Sequence, residues 1–159
     1  MTLKQKITPC LWFDDQAEDA ANFYVSIFEN SRITAVSRYG DAGPGPKGGD
    51  VTVAFELDGQ SFTGLNGGTM FKFNEAISMI VNCETQIEVD HYWEKLSAGG
   101  QIQQCGWLKD KFGLSWQIVP ATLVELICDK DPAKSQRVVQ AMLRMTKIDI
   151  ASLREAHAG

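Results

Sequence analysis

The sequence predicts an α+β protein that contains the same β-α-β-β-β module twice. Residues 7–14 and 77–84 align at a constant offset of 70 (77 − 7 = 70), and each is a β-rich run followed directly by an amphipathic stretch. The dipeptide Asp58-Gly59 lies between two further β-rich runs and suits the type I′ turn of a hairpin. Because one module cannot bury its apolar faces alone, we expect the two halves to cover each other and to leave a cavity between them.

The first half is expected to contain, in order, strand 7–13, a helix, strand 31–39, loop 40–50, and strands 51–57 and 60–65. Asp14-Asp15 is expected to cap the helix at its N-terminus. The apolar residues of this helix fall on one face, which predicts packing against the sheet: Ala17, Ala20, Tyr24, Ile27 and Phe28.

The second half repeats this order, with strand 77–83, a helix that ends at Gly99-Gly100, and short strands at 101–105, 106–109 and 114–119. Glu84 or Thr85 is expected to cap the helix. The buried stripe of this helix is predicted to comprise Val89, Tyr92, Trp93 and Leu96. Residues 110–113 form the turn before the last strand. Lys109 and Asp110, at the tip of this hairpin, are predicted to be solvated, with a gating role as the alternative.

Beyond Pro120 helical signals predominate, at 123–128, 131–145 and 149–156. Asp131-Pro132 is typical of an N-cap followed by proline at the first helical position. The chain of 159 residues has ordinary single-domain size. We therefore predict one domain over residues 1–159, with an internal repeat at 1–66 and 72–120 and a C-terminal helical extension at 121–159.

Composition and charge exclude several partners. The formal net charge of −5 offers no basic surface for nucleic acid, and no run of about 20 apolar residues would span a membrane. The apolar stretch near the N-terminus contains Pro9 and stops at Asp14, which makes it too short for a secretory signal. The four cysteines show neither CxxC nor zinc-like spacing, which favours reduced thiols in the cytoplasm.

Four motifs carry a resemblance to a known family: GLNGG at 64–68, FKFNEAIS at 71–78, VDHYWEKL at 89–96 and CGWLKDKFGLSWQIVP at 105–120. They resemble the PhnB-like family of the vicinal oxygen chelate superfamily, which includes glyoxalase I and the extradiol dioxygenases. The resemblance extends to KIDI at 147–150. It implies the glyoxalase-like fold, in which two βαβββ modules form a curved mixed sheet around a cavity, and it implies a homodimer.

The resemblance also indicates where a metal ion would bind. In glyoxalase-like relatives the ligands are His, Gln or Glu near the start of each first strand and near the end of each last strand. These positions fall on Thr8 and Ser78, and on Thr63 and Gln117. None is His, Asp or Glu, so we expect no metal ion or other cofactor and keep a divalent metal as the alternative. The two histidines, His91 and His157, are predicted to be surface residues.

Members of this family commonly carry the label 3-demethylubiquinone-9 3-methyltransferase. Methyl transfer from S-adenosylmethionine usually requires a glycine-rich turn between a strand and a helix. The glycine-rich run of this chain, at 40–49, lies between two predicted strands of an antiparallel meander instead. It is therefore predicted to be a surface loop.

The residues predicted to line a ligand pocket are aromatic, amide-bearing or thiol-bearing: Cys10, Trp12, Phe62, Asn66, Phe73, Asn74, Trp107, Trp116 and Gln117. Each aromatic residue fits a plain core position equally well. The amides are the stronger candidates, because buried amides need partners that a ligand can supply. Cys10 has no neighbouring base in the sequence, which favours an inert thiol over a nucleophile.

Two functions of different classes remain open at this point. The first is a protein that binds a small molecule in a metal-independent pocket. The second is an enzyme that acts on a small oxygenated or aromatic substrate, including a divalent-metal-dependent lyase, isomerase or oxygenase. The lack of metal ligands and of a catalytic histidine favours the first, and no catalytic residue is assigned.

Overall fold

The computed structural model describes residues 5–38 and 50–159. The chain divides into two compact units, Met1–Lys72 (unit 1) and Phe73–Gly159 (unit 2). Each unit contains one βαβββ module, and unit 2 also contains the C-terminal helices. No helix of the described residues has the length and apolar character needed to cross a membrane.

Unit 1 consists of β1 (Cys10–Phe13), α1 (Ala17–Ile27), β2 (Arg32–Arg38), β3 (Asp50–Leu57) and β4 (Gln60–Asn66). The strand order is β1-β4-β3-β2, in which β1 and β4 are parallel and the other neighbours are antiparallel. Asp58 and Gly59 connect β3 to β4 with φ angles of 46° and 77°, as the predicted hairpin requires. Of the predicted loop 40–50, residues 40–49 lie outside the described residues, and Asp50 is the first residue of β3.

Unit 2 repeats this architecture with β5 (Ser78–Cys83), α2 (Gln86–Ser97), β6 (Gln101–Ile102), β7 (Trp107–Lys109) and β8 (Ser115–Pro120). Its strand order, β5-β8-β7-β6, is that of unit 1. The chain then forms α3 (Ala121–Ile127), α4 (Pro132–Met142) and α5 (Ile150–Ala158). The predicted α+β class, with two βαβββ modules followed by helices, is thus confirmed.

The two module helices begin in different ways. Helix α2 begins with the expected cap, because the Thr85 side chain accepts a hydrogen bond from the backbone N–H of Glu88 and the Glu88 carboxylate accepts one from that of Thr85. The prediction that Asp14-Asp15 caps α1 is wrong. Gln16 stands at the N-cap without a side-chain hydrogen bond, and Oδ1 of Asn66, at the end of β4, accepts from the backbone N–H of Ala17 at 2.8 Å.

Strands β6 and β7 are shorter than the periodicity predicts. Cys105 and Gly106 have φ angles of 60° and 81°, so the backbone leaves the extended region between Ile102 and Trp107. The same two residues donate their backbone N–H groups to the carbonyls of Met145 and Thr146. The turn therefore serves as an attachment point for the C-terminal segment.

The C-terminal extension has its own apolar cluster, formed by Leu123, Val138, Ile148 and Leu153. Gln86 on α2 ties this extension to the module, since its amide donates to the carbonyl of Ile148 and accepts from the N–H of Ile150. Lys147 also forms an ion pair with Asp90 at 2.6 Å. These contacts make the extension an integral part of unit 2.

The turn at Gly106 yields a prediction about stability. A Cβ added at Gly106 would lie 2.8 Å from the carbonyl oxygen of Ile118, whereas one at Gly113, which also has a positive φ, would meet nothing within 4 Å. Both alanine variants carry a backbone strain of about 1 kcal/mol. We expect Gly106→Ala to lose a further 1–3 kcal/mol or so from the backbone collision, as measured by urea denaturation. Equal losses in the two variants would contradict the close approach.

Candidate functional site

Sheet β5-β8-β7-β6 has two faces of different chemistry. Helix α2 packs on the face that carries Val81, Leu108 and Ile118, all of which are buried. Strand register places two rows of residues on the other face: Ser78, Ser115 and Lys109 in one, and Ile80, Gln117 and Trp107 in the next. We call these six residues the polar face of unit 2.

An internal hydrogen bond joins Gln117 and Ser78, two of the four positions at which the sequence resemblance would place metal ligands. Nε2 of Gln117 donates to Oγ of Ser78 at 2.8 Å, and both side chains are half-buried. Among the described residues nothing donates to the amide oxygen of Gln117. The pair therefore presents one carbonyl acceptor and one hydroxyl donor on the polar face.

Ser115, between Ser78 and Lys109 in register, is fully buried. Its hydroxyl is the buried side-chain oxygen for which the described residues supply no hydrogen-bond partner. Buried polar groups in folded proteins are almost always satisfied, because an unsatisfied one costs about 1–3 kcal/mol. The Ser115 hydroxyl, on the same face as Gln117 and Ser78, therefore needs a partner from outside the described residues.

Lys109 is held by a side chain from the segment that precedes β5. Its Nζ lies 2.6 Å from Oε1 of Glu75, and Nε2 of Gln103 donates to the same oxygen at 3.3 Å. The hydrogen bond from Lys109 is the largest cause of a lowered pKa at Glu75, with the Glu75 backbone and Gln103 contributing further. Lys109 is thus half-buried and paired, and the prediction that it is solvated is wrong.

The same prediction fails for Asp110, which is only 2% exposed. Its Oδ1 accepts from the backbone N–H groups of Phe112 and Leu114, and its Oδ2 accepts from Nε1 of Trp116 at 2.8 Å. This network fixes the turn between β7 and β8. It therefore positions Lys109 and Ser115, which directly adjoin the network in the chain, on the polar face.

Unit 1 has an equivalent face opposite α1. Cys10 pairs with Thr63 in β1 and β4, as Ile80 pairs with Gln117 in β5 and β8. Trp12 lies on this face next to Leu65; its Nε1 donates to the carbonyl of Gly68 at 2.8 Å. Its ring contacts that of Phe71 edge-on at 4.9 Å. Along β1 the unit 1 face thus carries a thiol and an aromatic ring, and register adds the hydroxyls of Thr63 and Ser61 to the same face.

Three predicted pocket residues lie on the helix-covered faces instead. Phe62 is buried and stacks on Phe55 at 5.5 Å, and Trp116 is buried against Asp110. Asn66 caps α1. Because side chains alternate along a strand, each of these residues points away from the faces that carry Thr63 and Gln117.

The other predicted pocket residues are distributed as follows. Phe73 and Asn74 belong to the segment between β4 and β5, where Phe73 is half-buried and Asn74 is exposed. Oδ1 of Asn74 accepts from the backbone N–H of Ala76 at 2.9 Å. The amides of Asn66 and Asn74 therefore find partners within the chain, and the argument that a ligand must satisfy them no longer applies.

Two of the cysteines bear on nucleophilic chemistry. Burial raises the pKa of the Cys83 thiol to about 12, which keeps it protonated at neutral pH. Cys10 is exposed on the unit 1 face, on the strand where the sequence predicts it.

The cavity expected between the halves depends on how the two units are arranged, and it stays a prediction.

The residues at the superfamily metal positions do not fit a divalent ion. Thr8 is exposed and precedes β1, Thr63 and Ser78 offer neutral hydroxyls, and Gln117 offers one amide oxygen. Neutral donors of this kind do not balance the charge of a dehydrated divalent cation. Within residues 5–38 and 50–159, no three His, Cys, Asp or Glu side chains group together as metal ligands would.

Neither histidine changes this conclusion. His91 is exposed on α2. Nε2 of His157 lies 2.7 Å from Oδ2 of Asp129, within hydrogen-bonding distance, and this contact joins α5 to the loop after α3. Both histidines are thus outside the two faces described above.

A glycine-rich cofactor cradle is also lacking where the described strands lead into the module helices. The connection from β1 to α1 is Asp14-Asp15-Gln16, and that from β5 to α2 is Glu84-Thr85. These acidic turns contain no glycine, and side chains already cap both helices. They do not fit the nucleoside part of S-adenosylmethionine in the way that a glycine-rich turn does.

Ser115 and Glu75 are the residues that sequence reasoning missed. A signal for Ser115 exists, since it lies two positions before Gln117 in the same strand and must share its face. Glu75 has no comparable signal, because it reaches Lys109 from a segment without regular structure.

Comparison with known families and structures places the chain among related proteins. The sequence model of the family described as 3-demethylubiquinone-9 3-methyltransferase matches residues 5–119. A PhnB protein from Bacillus cereus, provisionally named a 3-demethylubiquinone-9 3-methyltransferase, is 40% identical with a TM-score of 0.68. The match covers 74% of this chain and 100% of the Bacillus protein. The tail resemblance at 147–150 lies beyond the matched residues and stays a prediction.

More distant structures share the fold. Protein PA1353 from Pseudomonas aeruginosa is 18% identical with a TM-score of 0.62, over 74% of this chain and 98% of that protein. FosX from Listeria monocytogenes, a fosfomycin resistance protein solved with Mn(II) and sulfate, is 17% identical with a TM-score of 0.53, over 78% of this chain and 95% of that protein. No curated protein matches the chain.

The assignment of Asn66 to the helix cap can be tested by its effect on stability. We expect Asn66→Ala to lower the free energy of unfolding by about 1 kcal/mol, because the first turn of α1 loses its acceptor. Asn74→Ala, at an exposed turn, is the matched control and should change it by less than about 0.5 kcal/mol. Equal effects in urea denaturation would contradict the capping role.

Asp110 yields a second prediction for this region. Asp110→Asn places an amide N–H against the indole N–H of Trp116 and should lower the free energy of unfolding by about 2–3 kcal/mol. Trp116→Phe removes the opposing donor. In that background the cost of Asp110→Asn should fall by about 1 kcal/mol or more, as a double-mutant cycle measures. A strictly additive cycle would show that the indole contact does not hold the turn.

Proposed function

This chain belongs to the 3-demethylubiquinone-9 3-methyltransferase family of PhnB-like proteins, within the vicinal oxygen chelate superfamily. On that premise we propose that it binds a small molecule on the polar face of unit 2 without a divalent metal ion. The ligand class is a small oxygenated or aromatic compound. The proposal is for binding, and it assigns no catalytic residue.

The hydrogen bond between Gln117 and Ser78 is the observation that carries this proposal. At the positions where relatives of this fold bind metal, an amide donates to a hydroxyl at 2.8 Å. The pair is pre-organised and half-buried, and it offers an acceptor and a donor that a carbonyl or hydroxyl of a ligand can complement. A site of this kind recognises polar atoms directly, without a metal ion between protein and ligand.

Trp107 supplies the apolar part of the proposed site. It lies next to Gln117 in register, and its side chain is half-buried. A large aromatic surface beside a few placed polar groups is the usual composition of a small-molecule site. The methyltransferase name of the family is no part of the proposal, because the strand-to-helix turns of the described modules do not fit the cofactor.

We propose in addition that the protein is a cytoplasmic homodimer. Superfamily modules commonly pair between chains, and β5 lies at an edge of its sheet with Ile80 56% exposed. The cysteines of the described residues are all free, which suits a reducing compartment. Trp12 and Cys10 of unit 1 are kept as further candidates for ligand contact.

Native mass spectrometry of the untagged protein is the first test of metal independence. We expect a dimer without a tightly bound divalent ion, and a co-purified organic molecule would identify the ligand class directly. One divalent ion per chain, removed by a chelator together with ligand binding, would overturn the proposal in favour of metal-dependent chemistry.

A titration with neutral fragments tests the location of the site. Fragments that bear a carbonyl or hydroxyl group should shift the amide NMR signals of the polar face of unit 2. Gln117→Leu should weaken their binding about tenfold, since one hydrogen bond contributes about 1 kcal/mol or somewhat more. Gln136→Leu, at an exposed position of α4, is the matched control and should leave binding unchanged. Equal binding to both variants would place the site elsewhere.

A further inference from the structure

We propose that Lys109 and Ser115 form a recognition site for the carboxylate of a small ligand, and that the side chain of Glu75 occupies this site until the ligand displaces it. The inference rests on the proposed binding function and adds the charge of the ligand to it. It also assigns a role to the Ser115 hydroxyl, the one buried hydroxyl of residues 5–38 and 50–159 that lacks a partner there.

The contact between Lys109 and Glu75 shows that the site suits a carboxylate. Nζ of Lys109 lies 2.6 Å from Oε1 of Glu75, and the amide of Gln103 donates to the same oxygen. A carboxylate oxygen in this position thus receives an ammonium and an amide donor together. A ligand carboxylate that replaces Glu75 would meet the same two donors.

Ser115 provides the donor that Glu75 leaves unused. It is opposite Lys109 in the antiparallel register of β7 and β8, so that both side chains lie on the same face. Its hydroxyl has no partner among the described residues, although the residue is fully buried. A second carboxylate oxygen, close to the ammonium, is the acceptor that would satisfy it.

Displacement of Glu75 is physically feasible. The Glu75 side chain is 48% exposed and that of Lys109 is 26% exposed, and ion pairs at the surface contribute little to stability. Glu75 also belongs to an irregular segment between β4 and β5, which can move without breaking a strand. The pKa of Glu75 is lowered chiefly by the hydrogen bond from Lys109, so Glu75 stays ionised at neutral pH and an anionic ligand must compete with it.

The surroundings define the rest of the ligand. Trp107 lies two positions before Lys109 on the same strand and therefore on the same face. An aromatic ring that packs on Trp107 can direct an attached carboxylate towards Lys109. The expected ligand is thus a compact aromatic or apolar body with one carboxylate.

Benzoate and its neutral isostere benzamide are the probes for the test. Each is titrated into the isotope-labelled full chain at neutral pH, and dissociation constants are read from the amide signals of the polar face. Benzoate should bind at least about fivefold more tightly than benzamide, as expected for a charge-assisted contact. Inorganic phosphate is titrated in parallel, and it should bind more weakly than benzoate.

Three variants test the three roles. Lys109→Met should weaken benzoate binding about tenfold or more, whereas Lys95→Met, on the exposed side of α2, should not. Glu75→Gln should tighten it about threefold or more, because the competing charge is removed, whereas Glu94→Gln changes the net charge equally and should have no effect. A loss of binding in Glu75→Gln would overturn the displacement step.

Ser115→Ala separates ligand recognition from structure. Removal of an unsatisfied buried hydroxyl should leave the urea midpoint of the ligand-free protein unchanged or raise it. The same variant should bind benzoate about threefold or more weakly. A lower midpoint together with unchanged binding would show that the hydroxyl is structural, and would remove Ser115 from the site.

The outcomes distinguish this inference from the proposed function. Neutral fragments that bind the polar face, with no advantage for benzoate over benzamide, would overturn the carboxylate site and leave the binding function intact. Failure of both neutral fragments and benzoate to bind there would overturn both. Phosphate that binds more tightly than benzoate would contradict the carboxylate assignment in favour of a phosphoryl ligand.

Discussion

The parallel pairing between the first and last strand of each module is the constraint on which the rest of the structure depends. Parallel neighbours require a crossover connection, and here α1 or α2 provides it on one face of each sheet. Side-chain alternation then assigns every strand residue to the helix-covered face or to the opposite one. The pairing of Ile80 with Gln117 thus places the amide in the middle of the opposite face, beside the strand that carries Ser78.

The buried carboxylate of Asp110 holds the turn between β7 and β8, which borders the polar face of unit 2. A carboxyl group away from water requires hydrogen-bond partners, and the turn between β7 and β8 supplies two backbone N–H groups and the indole of Trp116. All three of these donors meet the carboxylate in the observed conformation of the turn. That conformation fixes the registry of Lys109 with Ser115, so the stability of the turn and the geometry of the polar face have a common origin.

Local signals made much of the fold predictable from the sequence. The offset of 70 positions, the Asp58-Gly59 turn and the Thr85 cap each depend on residues that are close in the chain. The error at Asn66 arose because its partner is distant, since Asn66 caps a helix 49 positions away. The error at Asp110 arose within a short stretch of chain, because the donors of Phe112, Leu114 and Trp116 meet at its carboxylate only in the folded turn. Phe62 was misplaced for a different reason, since a shift of one residue along a strand reverses the face.

The buried hydroxyl of Ser115 is a feature that the stability of the fold does not explain. Across the helix-covered faces, the cores of the two units consist of apolar side chains and of polar groups with identified partners such as Asp110. Ser115 departs from this rule on the face that carries Gln117 and Lys109. An alanine would fit the same strand without the desolvation cost, so the fold itself gives no reason for a serine. The shared fold leaves the chemistry of its members open. The polar face of unit 2, with its amide, hydroxyls and ammonium, is where we propose that this chain binds its ligand.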